Sequence, residues 1–184
     1  MKRAFDLSVA IFLLVLASPV MAVVALLIRT TSPGPAIFSQ TRVGLGEKSF
    51  QCLKFRTMAV GTPDVSSHQA SSTWITPIGR VLRRTKLDEL PQLVNVLRGE
   101  MSLVGPRPGL PSQTELLEER RRRGVFGVLP GITGRAQLAG IDMSQPQRLA
   151  EVDSEYIASR TFLTDLLILF RTLAGKGAGD AANT

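Results

Sequence analysis

The run Leu7 to Ile28 carries no charge, and among its 22 positions only Ser8, Ser18 and Pro19 are not apolar. As a helix it would be about 33 Å long, enough to cross the hydrocarbon core of a bilayer. Lys2 and Arg3 precede it, and Arg29 and Arg42 follow it. Three arrangements compete. A secretion signal would use Lys2-Arg3 as its basic region and need a small-residue cleavage site after the run. The run is long for that, and a chain with no structural cysteines gives no hint of export. A spanning helix is the second arrangement. The third is a re-entrant helix that enters and turns back near Ser18-Pro19, because proline removes a backbone donor and crowds the preceding turn. A turn there would keep both cationic flanks on the cytoplasmic side. Proline is tolerated in spanning helices too, so the residues alone leave spanning and re-entrant open.

The net charge of +7 and a pI near 10.5 fit nucleic acid, anionic lipid or phosphorylated substrates as partners. Only 5% of residues are aromatic. Single-stranded nucleic-acid platforms interleave aromatics with cations, so a nucleic-acid partner is set aside. Cys52 is the single cysteine and His68 the single histidine. No internal disulfide or thiolate cluster can form, and a multi-histidine zinc site is excluded. His68 lies in the polar run Gly61–Ser72, which reads as a loop. Acid, base and nucleophile must therefore come mainly from carboxylates, with Lys and Arg handling negative charge.

After the break Thr31-Ser32-Pro33-Gly34-Pro35, Ala36 to Val43 and Lys48 to Arg56 read as two strands around a Gly44–Glu47 turn. A helix is expected from Pro77 to about Lys86. Pro91 suits the first turn of another, Gln92 to Arg98, stopped by Gly99. A polar helix follows over about Ser112 to Arg123, then a glycine-bearing loop, Leu129 to Gly134. The last helical stretch is expected from Gln147 to Leu173, and the Gly/Ala-rich tail is expected to be disordered. Phe162 to Leu173 is apolar on one face and too short to span; core packing and a surface position on the membrane both fit.

Asp88 and Glu89 stand at a helix start, where carboxylates also serve as caps and dipole partners. Arg80, Arg83, Arg84 and Lys86 precede them within eight residues. Cations favour ionised carboxylates. An ionised aspartate can attack phosphorus, and an adjacent glutamate can share a Mg²⁺ ion, which prefers oxygen ligands and bridges to substrate phosphates. Arg107 is held between Pro106 and Pro108, which stiffen its backbone. Strand alternation puts Lys54 and Arg56 on one face, suited to phosphate or to solvent. The Gly131–Gly134 loop offers backbone amides to an anion but lacks the lysine ending of a P-loop. The run Arg120–Arg123 follows Glu118 and Glu119 at helical ion-pair spacing and reads as a solvated surface.

Thr85-Lys86-Leu87-Asp88-Glu89-Leu90-Pro91-Gln92-Leu93 followed by Met101-Ser102-Leu103-Val104-Gly105-Pro106-Arg107-Pro108 resembles the core of the monotopic phosphoglycosyl transferases, the bacterial sugar transferase family. Lys2-Arg3-Ala4-Phe5-Asp6, Lys54-Phe55-Arg56-Thr57-Met58, Pro130-Gly131-Ile132-Thr133-Gly134 and Asp153-Ser154-Glu155-Tyr156 extend the resemblance over nearly the whole chain. The resemblance implies an α+β membrane protein. Residues 1–30 would form a re-entrant membrane helix kinked at Ser18-Pro19. Residues 31–174 would form a mostly helical catalytic domain with a small β-hairpin, and 175–184 a disordered tail. It implies transfer of a phospho-sugar from a UDP-sugar to undecaprenyl phosphate with release of UMP, at the cytoplasmic face of the bacterial inner membrane and in contact with its phospholipid. Asp88 would be the nucleophile and Glu89 its partner at a Mg²⁺ site. Arg107, with Pro106 and Pro108, would meet the nucleotide, Arg83 the phosphate, and Lys54, Arg56 and Asp153 would line the substrate site. A homo-oligomer is compatible with the sequence. Arg135 and the stretch Ile141–Gln145 depart from the family pattern, which leaves the sugar open. A lipid-binding scaffold and a direct ternary-complex transferase are the competing classes.

Overall fold

The computed structural model describes residues 1–62 and 72–175. His68 and the tail beyond Gly175 lie outside the described residues.

The apolar run forms helix α1, Lys2–Thr31, long and apolar enough to cross a membrane. Its helical backbone continues through Ser18-Pro19, so the chain does not separate into two helices there. Pro19 has no N–H to offer the carbonyl of Val15, and the Ser18 hydroxyl donates to that carbonyl instead, at 2.8 Å. Both ends of α1 are tied to the rest of the chain. At the start, Lys2 Nζ lies 2.6 Å from Asp165, and the Asp6 carboxylate accepts from Ser102 Oγ at 2.7 Å. At the finish, the Arg56 guanidinium donates to the Ser32 carbonyl at 2.9 Å and to the Pro33 carbonyl. One side of α1 is buried: Ala10 packs with Leu93, Val96 and Met101, and Val24 and Ile28 with Phe55 and Leu82. Ile11, Phe12, Val15, Leu16, Val23 and Leu26 are exposed along the other.

The hairpin is β1, Ile37–Val43, antiparallel to β2, Ser49–Phe55, with Val43 opposite Ser49. Gly46 and Glu47 turn the chain at φ near +60°. Helix α2, Pro77–Thr85, is capped by Thr76, whose side chain accepts from the Gly79 N–H. Helix α3, Gln92–Arg98, stops at Gly99 with φ +82°, the left-handed cap expected of glycine. Asn95, fully buried on α3, accepts from Leu53 N–H at 3.0 Å and donates to the Gln51 carbonyl at 2.7 Å, fastening β2 to the helix.

The expected glycine loop after Leu129 is instead a strand. β3, Ser102–Val104, runs parallel to β4, Gly131–Thr133. Glycine is needed for closeness, since a Cβ on Gly131 would sit 2.1 Å from the Gly105 nitrogen. The amide of Gly131, which the loop reading offered to an anion, is spent on the Pro106 carbonyl at 2.9 Å, and that of Gly105 on the Thr133 carbonyl at 2.9 Å.

Helix α4, Thr114–Arg122, and the short α5, Arg135–Leu138, precede two helices where one was expected. α6, Pro146–Ser159, ends at an extended Arg160, and Thr161 caps α7, Phe162–Leu173, by accepting from Thr164 N–H. Core packing accounts for only one side of α7: Asp165 and Ile168 are buried, while Phe162, Leu163, Leu167, Phe170 and Leu173 are exposed. The rings of Phe5 and Phe162 meet edge to face at 5.1 Å, joining the start of α7 to the start of α1. The exposed apolar faces of both helices thus begin side by side.

Gly79 lies where α2 crosses the chain at Thr57, and a Cβ there would fall 2.0 Å from the Thr57 carbonyl oxygen. Gly79→Ala is expected to destabilise by about 1–3 kcal/mol and to displace Arg83 with the helix. Gly127→Ala is the control, because nothing lies within 4 Å of its added Cβ. Thermal unfolding of the detergent-solubilised protein should drop by several degrees for the first and stay unchanged for the second.

Candidate active site

Between α2 and α3 the chain makes a tight 3₁₀ turn, Leu87–Glu89. It can do so because Lys86 ends α2 in the left-handed region, φ +58° and ψ +14°. A non-glycine residue held there marks a constrained junction. The result is that Asp88 faces inward, 9% exposed, while Glu89 reaches toward β2 and the 105–109 loop.

Glu89 Oε1 accepts from Lys54 Nζ at 3.2 Å and from Arg107 at 2.7 Å. All three side chains are largely shielded from solvent. The glutamate therefore acts as the common anchor of two cations that come from β2 and from the Pro106–Pro108 loop. Arg83 approaches from α2, with its Nε on Thr57 Oγ1 at 3.0 Å. Asp88 makes no hydrogen bond among the described residues. Burial pushes its carboxyl up to about 6, against the pull of Lys54, while Glu89 adds a further push and Arg107 and Arg83 oppose it. Asp88 is thus a largely buried carboxylate under the field of three cations, with no side-chain hydrogen bond among the described residues.

The predicted site residues separate into two groups. The structure brings Asp88, Glu89, Lys54, Arg83 and Arg107 together. Of the cations before the dyad, Arg83 is half-buried and its charge acts on Asp88, while Arg80 and Arg84 are exposed. Pro106 and Pro108 are buried supports of the Arg107 loop. The structure does not bring Arg56 into this cluster. Strand β2 ends at Phe55, so the alternation that aligned Arg56 with Lys54 stops there, and its guanidinium is committed to Ser32, Pro33 and Gly34 at the exit of α1. Asp153 does not line the site either. It is 3% exposed and ion-paired to Arg120, whose Nη2 lies 2.6 Å away. Arg120 was expected on a solvated surface with its neighbours, yet it is 2% exposed. Arg121, Arg122 and Arg123 do pair with Glu47, Glu118 and Glu119 nearer solvent. Arg42, expected as a cationic flank of the membrane run, is also buried, at 4%. The signal for Arg120 was helical phase, since it stands one turn after the buried Leu116.

Among the described residues no three His, Cys, Asp or Glu side chains gather to hold a metal ion. Mg²⁺ is commonly held by one or two carboxylates and completed by substrate phosphates and water. Asp88 and Glu89 are the carboxylates that fit that pattern among the described residues.

The sequence profile described as bacterial sugar transferase matches residues 1–176. A UDP-glucose:undecaprenyl-phosphate glucose-1-phosphate transferase of Caulobacter vibrioides is 42% identical over 94% of this chain and 68% of its own length. The Escherichia coli protein of the same name is 41% identical over 94% of this chain and 39% of its own. An Aeromonas hydrophila UDP-N-acetylgalactosamine-undecaprenyl-phosphate N-acetylgalactosaminephosphotransferase is 37% identical over 96% of this chain and 44% of its own. The chain thus spans about two thirds of the first of these relatives and under half of the others. It belongs to the bacterial sugar transferase family.

The raised Asp88 pKa has a consequence for stability. The folded state binds the proton more tightly than the unfolded chain, so stability falls as pH rises from about 4 through 6. Above that window the ionised form costs on the order of 3 kcal/mol. Asp88→Asn should therefore melt several degrees higher than the wild type at pH 8, and the gap should close near pH 4, when both are followed by thermal unfolding over pH.

Proposed function

We propose that this chain moves a phospho-sugar from a UDP-sugar to undecaprenyl phosphate, releasing UMP, by way of a covalent intermediate on Asp88. The observation that carries the reading is the desolvated Asp88 carboxylate with Lys54, Arg83 and Arg107 around it. A buried carboxylate whose direct cation contacts among the described residues fall to its neighbour Glu89 keeps its lone pairs for attack, and three cations are the complement a diphosphate requires.

In the first step an Asp88 oxygen attacks the phosphorus that bears the sugar. A bond forms between that oxygen and phosphorus, and the bond from phosphorus to the bridging oxygen breaks. That oxygen leaves with its electron pair as part of UMP. In the second step an oxygen of the lipid phosphate attacks the same phosphorus, and the Asp88 carboxylate is released. The product is a lipid diphospho-sugar. Arg83 and Arg107 offset charge on the phosphoryl oxygens, and Lys54 with Arg107 holds Glu89 beside the nucleophile. Asp88 and Glu89 are the residues that would hold a Mg²⁺ ion, which would offset the charge gathering on the departing UMP. At physiological pH Asp88, titrating near 6, is predominantly ionised and ready to attack.

The membrane arrangement follows from α1. Both its ends are bound to the same folded unit, Lys2 to Asp165 at one and Arg56 to Ser32 at the other. A helix that crossed the bilayer fully would carry one end away from that unit. The tethers therefore favour a re-entrant anchor, monotopic at the cytoplasmic face of the inner membrane. The exposed apolar face of α7 would lie in the same interface. Such a seat holds a water-facing site at the depth of a lipid phosphate.

Incubation of the purified protein with a panel of UDP-sugars and Mg²⁺, without lipid acceptor, should give an intact-protein mass gain equal to one phospho-sugar. The gain should vanish in Asp88→Asn. Turnover with lipid present, but no adduct with any accepted sugar, would point to direct transfer within a ternary complex and end the covalent reading.

A further inference from the structure

The loop that presents Arg107 is fixed in an unusual way. Prolines set φ on either side of it but leave the carbonyl directions free. Each of the three carbonyls has its own donor. Pro106 accepts from Gly131 N–H at 2.9 Å, Arg107 from Arg120 Nη1 at 2.7 Å, and Pro108 from Arg42 Nη1 at 2.9 Å. Two of the three donors are buried guanidinium groups on different elements, Arg42 on β1 and Arg120 on α4. Each guanidinium is itself held on its other side. Asp153 Oδ2 takes Arg120 Nε at 3.0 Å and Nη2 at 2.6 Å, and Gln40 Oε1 takes Arg42 Nε at 2.9 Å. All four of these side chains are 6% exposed or less.

Burying two arginines is expensive unless their hydrogen bonds are well placed. A single backbone donor per carbonyl, such as Gly131 supplies, would satisfy the loop at lower cost. The guanidinium adds geometric precision, because its planar fork is locked at one edge and donates from the other. The output of this arrangement is the direction of the Arg107 side chain, which ends on Glu89 at 2.7 Å.

Resting on the functional reading above, we infer that Arg42 and Arg120, locked by Gln40 and Asp153, are positioning residues that set Arg107 for the diphosphate of the donor nucleotide. Their part in the site runs through the loop carbonyls. The motif residue Asp153 thereby acquires a task one side chain removed from the site.

The test is a pair of double-mutant cycles read by calorimetric binding of UDP, in Mg²⁺, to the full chain in detergent. Arg107→Ala should weaken UDP about tenfold, and Arg120→Lys and Arg42→Lys should each do nearly the same, the tenfold being about 1.4 kcal/mol. In the Arg107→Ala background the two lysine variants should change affinity by less than about twofold, because their effect runs through Arg107. If the factors multiply instead, to about a hundredfold, the two arginines serve general packing and the inference falls. Thermal unfolding of each variant checks folding; should Arg120→Lys not fold, the Arg42→Lys cycle decides alone. If the folded wild type does not bind UDP at all, the functional reading falls and the inference with it, a result distinct from multiplying factors.

Discussion

The rest of the structure depends on the fastening of α1 at both ends to one folded unit. An apolar helix of this length, left alone, is free to leave the domain behind. Here the Lys2–Asp165 ion pair and the Asp6–Ser102 hydrogen bond hold its first turns, and the Arg56 guanidinium holds the carbonyls just past its last. The N-terminal fastening reaches further. Tyr156 donates to the second oxygen of Asp165 at 2.6 Å, so α1, α6 and α7 meet on one carboxylate. Asp6 is bound to β3, whose parallel partner β4 supports the Pro106 carbonyl. A series of contacts thus connects the long apolar helix to the loop that carries Arg107.

At the other end the same logic joins α1 to the dyad. Val24 and Ile28 pack with Phe55 and Leu82, on the hairpin and on α2. Those two elements supply Lys54 and Arg83. The placement of α1 and the position of the candidate site are consequently one variable.

Much of this was legible because it is local. Pro91 and Gly99 bracket α3 as helix chemistry requires, and the hairpin, the dyad and the Pro106–Pro108 loop are contiguous in sequence. What could not be read is non-local or concerns an element's last residue. The β3–β4 pairing joins two three-residue strands nearly thirty positions apart, too short for any periodicity to show. Arg56 failed because β2 stops one residue earlier than alternation assumes. Arg120 failed because its neighbours in the arginine run do behave as solvated charges, and composition outweighed phase. In each case a cation was assigned to substrate or solvent when the chain uses it to hold backbone carbonyls. A sequence shows charge readily and shows the partner of that charge poorly.

The burial of Asp88 is the remaining tension, and it resolves as a balance of opposed terms. Desolvation pushes the acid toward its protonated form. The cations alone would hold it ionised but paired, its lone pairs occupied. The site separates the two effects by giving the direct hydrogen bonds to the neighbour: Glu89 takes Lys54 and Arg107, and Asp88 feels their field without their contact. Asp88 thereby titrates near 6 while Glu89 takes the direct hydrogen bonds. This division of labour requires two adjacent carboxylates on a turn tight enough to send them in different directions. The left-handed Lys86 and the 3₁₀ turn after it provide that turn.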